Sequence, residues 1–289
     1  MRSPELIVGI DGSPESEQAL VWAAHEAARR SAELLIMSVY GWHETGRPTP
    51  LGAPFVADAR AQAEALVADA VVTVRGLIPH LVVRGQAVLG HVAQTLARAS
   101  VDGATMVVGH RGRGGFASLL LGSVSQHVAL HARGPVVVVR GQLDREDGPV
   151  VVGVDGSPES ELALQLAFEE AAMRGTGVEA VRAYRLLVSA YVPNAPSLVE
   201  DPAQRREAEQ AALAAEVAPW AEKYPYIHIS CAAVEGTARD VLTDRSASAS
   251  MVVVGSRGHG GIAGLLLGSV GQHLLHHAGC PVLVARRPA

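Results

Sequence analysis

The segment Val8-Gly9-Ile10-Asp11-Gly12-Ser13-Pro14-Glu15-Ser16-Glu17 returns 144 residues later as Val152-Gly153-Val154-Asp155-Gly156-Ser157-Pro158-Glu159-Ser160-Glu161. A chain of 289 residues that writes one strand-to-helix junction twice is built from two copies of one folding unit, each long enough to bury its own core. A second segment, Val107-Val108-Gly109-His110-Arg111-Gly112, recurs 146 residues on as Val253-Val254-Gly255-Ser256-Arg257-Gly258. Val88-Leu89-Gly90 already matches Val234-Glu235-Gly236 at that larger offset, which places a two-residue gain in the loop after the second strand. The polar stretch 141–148 has no periodicity and reads as the linker, so the expected domains are 1–143 and 148–289.

Inside the first copy, apolar runs alternate with helical patterns. Leu6 to Ile10 is continuously apolar, the mark of a strand covered on both faces of a parallel sheet. Ser13 is a natural N-cap with Pro14 at the first helical position, and Glu15 and Glu17 suit the positive end of the helix dipole. Leu20, Ala23, Ala24 and Ala27 give that helix its buried face. Leu34 to Tyr40 is the second strand, 41–54 an irregular loop, and about 56–77 an alanine-rich helix. A third strand is expected to begin at Leu81 to Val83, followed by a helix over 91–100, a strand at Thr105 to Val108, a helix over 123–132 and a strand from Val136 to Arg140. The second copy follows the same order. Five strands alternating with helices predict an α/β fold of two tandem doubly wound domains with mostly parallel sheets.

Between the fourth strand and the fourth helix both copies carry Gly-x2-Gly-x9-Gly-Ser: Gly109, Gly112 and Gly122-Ser123, then Gly255, Gly258 and Gly268-Ser269. Glycines let backbone N–H groups approach an anion with no Cβ in the way. A helix opening at Gly-Ser offers unpaired donors and the positive dipole end. A glycine cluster can also be a plain connection, but identical spacing in two otherwise diverged copies favours a phosphate cradle made twice. In a doubly wound sheet such loops gather at the carboxyl ends of the strands, where Asp11 and Asp155 also end their strands.

Bulk properties narrow the partners. A net charge of −5, without a basic run interleaved with aromatics, gives no attraction to nucleic acid. No stretch reaches the roughly 18 apolar residues of a membrane span, and the first apolar run is too short for a signal peptide. Cys231 and Cys280 are the only cysteines, which indicates no disulfide framework. The cytoplasm is the expected compartment.

On the Val-Gly-x-Asp-Gly-Ser strand end, the Gly-x2-Gly-x9-Gly-Ser loop and the closing Pro-Val strand, the chain resembles a tandem universal stress protein of the ATP-binding branch over nearly its whole length. The resemblance implies a five-stranded sheet of order 3-2-1-4-5, ATP with or without Mg in each crevice, up to two per chain, and dimer-like pairing through the last strand. It implies that Asp11 and Asp155 meet the adenosine part, that the strand-end Gly9 and Gly153 belong to the nucleotide-binding set, and that Val39 and Ala183 line the adenine pocket. Val108, Gly109, Gly112, Gly122, Ser123 and Val124 would wrap ribose and phosphates in the first copy; Val254, Gly255, Gly258, Gly268, Ser269 and Val270 would do so in the second. His110 stands where the family has a small hydroxyl residue, as at Ser256, so the two sites are expected to differ.

Each of these residues has a simpler reading. The two aspartates could cap helices, and Arg111, Arg113 and Arg257 could face solvent rather than phosphate. His127/His131 and His273/His277 have metal-compatible spacing but lack a third ligand and a His-Glu-x-x-His pattern, so they are read as structural. Cys231 is read as a small core residue. Lys223 is the chain's one lysine, so neither loop carries a P-loop lysine, and no nucleophile elbow is present. The function expected is nucleotide-dependent regulation in the stress response without efficient turnover. A homodimer and an unidentified protein partner are expected, and neither nucleic acid nor membrane. The rivals are a slow ATPase, or a nucleotide-free interaction module of the same fold.

Overall fold

In the computed structural model the described residues are 6–41, 53–100, 103–114, 120–145, 147–186, 201–259 and 267–287. The first repeat runs β1 (Leu6–Gly9), α1 (Pro14–Arg29), β2 (Leu34–Tyr40), α2 (Ala53–Leu77), β3 (Val83–Leu89), α3 (Val92–Ala99), β4 (Thr105–Gly109), α4 (Ser123–His131) and β5 (Val136–Val139). The second runs β6 (Val150–Gly153), α5 (Pro158–Arg174), β7 (Val178–Tyr184), α6 (Pro202–Lys223), β8 (Ile229–Glu235), α7 (Ala238–Ser246), β9 (Met251–Gly255), α8 (Ser269–His277) and β10 (Val282–Ala285).

Each repeat is a parallel sheet of order 3-2-1-4-5 in its own count, with Leu6 in register with Leu34 on one side and Thr105 on the other, and Val150 likewise with Val178 and Met251. The two sheets are one. β5 pairs antiparallel with β10, Val137 opposite Leu283, giving the order β3-β2-β1-β4-β5-β10-β9-β6-β7-β8. The apolar last strands therefore cover each other within one chain, which removes two open edges at the most hydrophobic place in the sheet.

The valine runs explain this geometry. Val136 to Val139 are fully buried, and successive residues serve opposite faces: Val137 and Val139 belong to the core cluster on the face covered by α1 and α5, while Val136 and Val138 belong to the one on the face covered by α4 and α8. Both face clusters contain residues of both repeats, so the core runs through the seam. Arginines stitch the seam's outer side. Arg140 follows β5 and donates to the Leu275 carbonyl at the end of α8, while Arg286 follows β10 and donates to the Ala129 carbonyl of α4 at 2.5 Å. A cation at a helix C-terminus meets the negative dipole end and an orphan carbonyl together.

On the other face the seam is closed by a buried ionic square. Glu26 and Glu170, at equivalent positions of α1 and α5, are 0% and 2% exposed. Arg174 Nη2 lies 2.6 Å from Glu26 and 3.2 Å from Glu170; Arg30 Nε lies 2.8 Å from Glu26, and Arg30 Nη2 pairs with Glu170. Each guanidinium thus bridges the two repeats.

Three sequence expectations shift. The third strand starts at Val83 and runs to Leu89, later than the apolar pair at Leu81 suggested, because an edge strand exposes Arg84 and Gln86 and so carries little hydrophobic signal. The second helix begins at Ala53, inside the expected loop, whose remainder after Gly41 lies outside the described residues. Cys231 is only half-buried, packing against the core from the edge strand β8, and Cys280 is fully buried in the bend before β10; both are free thiols. The two-residue gain does fall after the second strand, since β2 and β7 are 144 residues apart while β3 and β8 are 146 apart.

Candidate functional site

Strand order reverses between β1 and β4, and again between β6 and β9, so the connections leaving these strands diverge and open a crevice at their carboxyl ends. Asp11 and Asp155 stand at the strand ends that border it. The N-cap is Ser13 and not the aspartate: its Oγ accepts from Ser16 N at 3.2 Å, and Ser157 does the same for Ser160.

The carboxylates do something else. Asp11 Oδ1 accepts from Ser13 N at 3.0 Å and from Ser13 Oγ at 2.6 Å, while Oδ2 accepts from the backbone N–H of Arg113 at 2.8 Å. Asp155 repeats the pattern, with Ser157 N at 3.0 Å and the backbone N–H of His259 at 3.0 Å. In each copy a strand-terminal carboxylate therefore holds the glycine loop by its backbone. Burial pushes the Asp11 carboxyl up, but the bonds from Ser13 and the Arg113 N–H outweigh it and keep it below the ordinary carboxylate range; Asp155 is lowered in the same way by Ser157 and His259. Ionised carboxylates are acceptors only, and each keeps spare lone pairs for a ligand hydroxyl or amine while repelling phosphate.

The glycines divide by task. A Cβ at Gly112 would stand 2.4 Å from Asp11 Oδ2, and one at Gly258 would stand 2.2 Å from Asp155 Oδ2, so their absent side chains make room for the clasp. Gly109 and Gly255 answer to packing instead: a Cβ there would meet the first turn of α1 or α5, at 2.6 Å from Glu15 O or 2.9 Å from Glu159 O. Gly9 and Gly153 pack against Leu96 and Leu242. Gly122 and Gly268 are the N-caps of α4 and α8, without a side-chain cap, and their N–H groups return to His110 O and Ser256 O at 2.8 Å. The next N–H groups, from Ser123-Val124 and Ser269-Val270, open each helix toward the crevice, with both serines exposed.

In the second repeat this mouth is a crevice of about 380 Å³, bounded by Ala183 near the end of β7 and Arg185 just after it, Thr237 and Arg239 at the start of α7, and Ser269 and Val270 of α8. It joins three of the expected residues; Asp155, Gly255 and Gly258 sit outside its lining. Arg185 and Arg239 were not anticipated. Their counterparts at the repeat offsets are Gly41 and Ala93, so the two arginines distinguish the second crevice from the first, and that contrast was open to view in the sequence. Val39 and Val108 are their copy's equivalents of Ala183 and Val254; Val108 and Val254 are buried, and Val39 is half-buried at the core margin.

Arg111 and Arg257 do not simply face solvent. They pair with Glu15 at 2.8 Å and Glu159 at 3.1 Å, the acids in the first turns of α1 and α5. The side chain of Arg113 lies over Gly12. His110, at the position of Ser256, has a buried Nδ1 with no hydrogen-bond partner among the described residues, and burial followed by Arg140 and Arg111 lowers its pKa. His127 and His131 stack at 4.1 Å, with His131 Nδ1 3.0 Å from the His127 carbonyl. Among the described residues no group of three or more potential ligands is placed to hold a metal ion, and no helix is long and apolar enough to cross a membrane.

The sequence profile of the universal stress protein family matches residues 5–140 and 148–286. The chain is 37% identical over 290 residues to a universal stress protein of Mycobacterium tuberculosis, covering 98% of this chain and 97% of that one. It is 35% identical over 295 residues to one of Mycolicibacterium smegmatis, covering 97% and 96%. The crystal structure of a universal stress protein from Archaeoglobus fulgidus superimposes with a TM-score of 0.72 at 19% identity, covering 99% of this chain and 97% of that one, a likeness of fold.

Proposed function

Because this chain belongs to the universal stress protein family, we propose that each repeat binds an adenine nucleotide, with ATP the first candidate, and that occupancy regulates a cytoplasmic partner in the stress response. The observation that carries the reading is the doubled clasp: an ionised strand-terminal carboxylate holding the N–H of a glycine loop, beside a helix whose first turn has no side-chain cap. The spare carboxylate lone pairs suit the hydroxyl and amino donors of adenosine. The helix N-terminus suits the phosphates, on the side away from the carboxylate.

Binding without efficient turnover fits the residues better than hydrolysis. Lys223, the chain's one lysine, lies over the Trp220 and Tyr224 rings at the end of α6, so it takes no part in compensating phosphate charge. Regulation then depends on how differently the nucleotide binds two states of the loops. Since β5 and β10 are consumed by pairing within the chain, a homodimer would form through another surface.

The experiment is native purification followed by analysis for co-eluting nucleotide, with thermal unfolding in added ATP, ADP and AMP. A ligand at a hundredfold excess over its Kd stabilises the folded form by about 2.7 kcal/mol. We expect that rise with ATP; no shift with any of the three nucleotides, and none co-eluting, would remove the proposal.

A further inference from the structure

The pseudo-two-fold relation between repeats generates two related positions on the outer side of the seam, where the last strand of one repeat passes the end of a helix from the other. The two positions are not alike. At one, the linker occupies the space: Gly141 turns with a φ of +66° and lies against Gly279, where a Cβ would stand 2.2 Å from backbone, and Gln142 N donates to Gly279 O at 2.8 Å. At the other, the matching residues are Arg287 and Arg133, and a cleft of about 540 Å³ stands between them.

This second cleft is strongly cationic in a chain of net charge −5. Arg133, Arg257, Arg286 and Arg287 line it together with one carboxylate, Glu159, and the buried hydroxyl residue Ser256. Glu159 is committed to Arg257 at 3.1 Å, and Arg286 donates to the Ala129 carbonyl, which fixes the direction of its guanidinium. Arg133 and Arg287 are exposed and have no ion-pair partner among the described residues. Burial, then the proximity of Arg257, brings the Arg286 pKa down to about 10. Like charges gathered in a walled cleft focus a positive potential, and guanidinium forks match phosphate oxygens two at a time.

We propose that the seam cleft between Arg133 and Arg287 binds a compact polyanion bearing linked phosphate groups, at a place separate from the two glycine-loop crevices. Among the described residues lining the cleft, four guanidinium groups stand beside one carboxylate, an arrangement that suits two linked phosphates better than one. A ligand here touches residues of both repeats, so it tightens the seam and links the last strands to the loop after β9.

The test is calorimetric titration of the full chain with inorganic pyrophosphate, repeated on R133Q/R287Q, whose exposed positions keep the fold out of question. Wild type is expected to bind, with affinity falling steeply as salt rises; the double variant is expected to bind at least tenfold more weakly. A companion titration on G112A/R185Q/R239Q, which disturbs the first glycine loop and removes the two arginines of the second crevice while leaving the loop of Arg257 intact, is expected to leave pyrophosphate affinity within twofold. Absence of pyrophosphate binding to the wild type would overturn the proposal. So would affinity unchanged in R133Q/R287Q, or lost in G112A/R185Q/R239Q, which would place the anion in the glycine-loop crevices. Because the readout uses no nucleotide, its outcome is independent of whether ATP binds.

Discussion

Replacing Arg174 by Met while keeping Glu26, Arg30 and Glu170 is expected to lower stability by about 3–5 kcal/mol, the cost of stranding a buried charge. Arg174 is 4% exposed in its side chain and bridges the two fully buried glutamates across the seam, so its removal leaves Glu170 with Arg30, which Glu26 shares together with the less buried Arg29 at 3.4 Å. Met retains the apolar volume beside Trp22, over whose ring the Arg174 guanidinium lies at 5.6 Å, and so isolates charge from packing. Chemical denaturation reads the change as a drop in midpoint. A fourfold replacement by Leu and Met at 26, 30, 170 and 174 is expected to return the midpoint to the wild-type value or above it, since a well-packed apolar square has no desolvation cost to offset. If the single change costs less than about 1 kcal/mol, water reaches the square and the burial argument is wrong.

The same square sets a pH dependence of definite sign. Burial raises the Glu26 carboxyl, but Arg174 and Arg30 more than reverse this and hold it at about 2; burial and the adjacent Glu26 push Glu170 up to about 7 despite both arginines. Between the ordinary glutamate pKa of 4.5 and about 7 the folded state binds more protons than the unfolded one through Glu170, so stability falls as pH rises across that window. Below 4.5, and down to about 2, the unfolded chain takes a proton that folded Glu26 refuses, so stability falls as pH drops. Relative to the apolar fourfold variant, wild type is expected to be most stable near the ordinary glutamate pKa. A difference between the two proteins that stays flat from pH 4 to 8 would contradict this.

Much of this architecture was legible because its causes are local. A Ser-Pro N-cap, a valine run buried on two faces and a glycine spacing written twice each act over a few residues, and the resemblance supplied the strand order. What the reading missed depends on contacts between repeats. The resemblance implied pairing through the last strand, and β5 and β10 do pair within the chain; composition alone could not choose this over pairing with a second chain, which offers the same apolar surface. The ionic square left a trace, Glu-x3-Arg at Glu26/Arg30 and again at Glu170/Arg174, but i,i+4 pairs of this kind are common on solvated helix faces, and only the seam turns them inward. Gly109 was read as part of a phosphate cradle, and the contact its hydrogen avoids is with the Glu15 carbonyl, 94 positions earlier.

Changing Gly112 to Ala is expected to cost about 1.5–3 kcal/mol, the range for a hydrogen bond to a charged group, because the new methyl displaces Asp11 Oδ2 from the Arg113 N–H. Gly258 to Ala is expected to behave alike through Asp155 and His259. The backbone at neither glycine requires a positive φ, so conformational strain adds nothing and the clash with the carboxylate is the whole effect. That claim is separable from ligand binding by a double-mutant cycle. In an Asp11→Ala background the methyl has no carboxylate to displace, and the cost of Gly112→Ala should shrink to a few tenths of a kcal/mol; an unchanged cost would show that the glycine answers to something other than the clasp. The same proteins report on function. With G112A and G258A combined, the carboxylates no longer position the loops, and the stabilisation by ATP expected for wild type should vanish. If ATP stabilises the double variant as it does wild type, the nucleotide sits elsewhere, and the clasp holds the fold without serving a site.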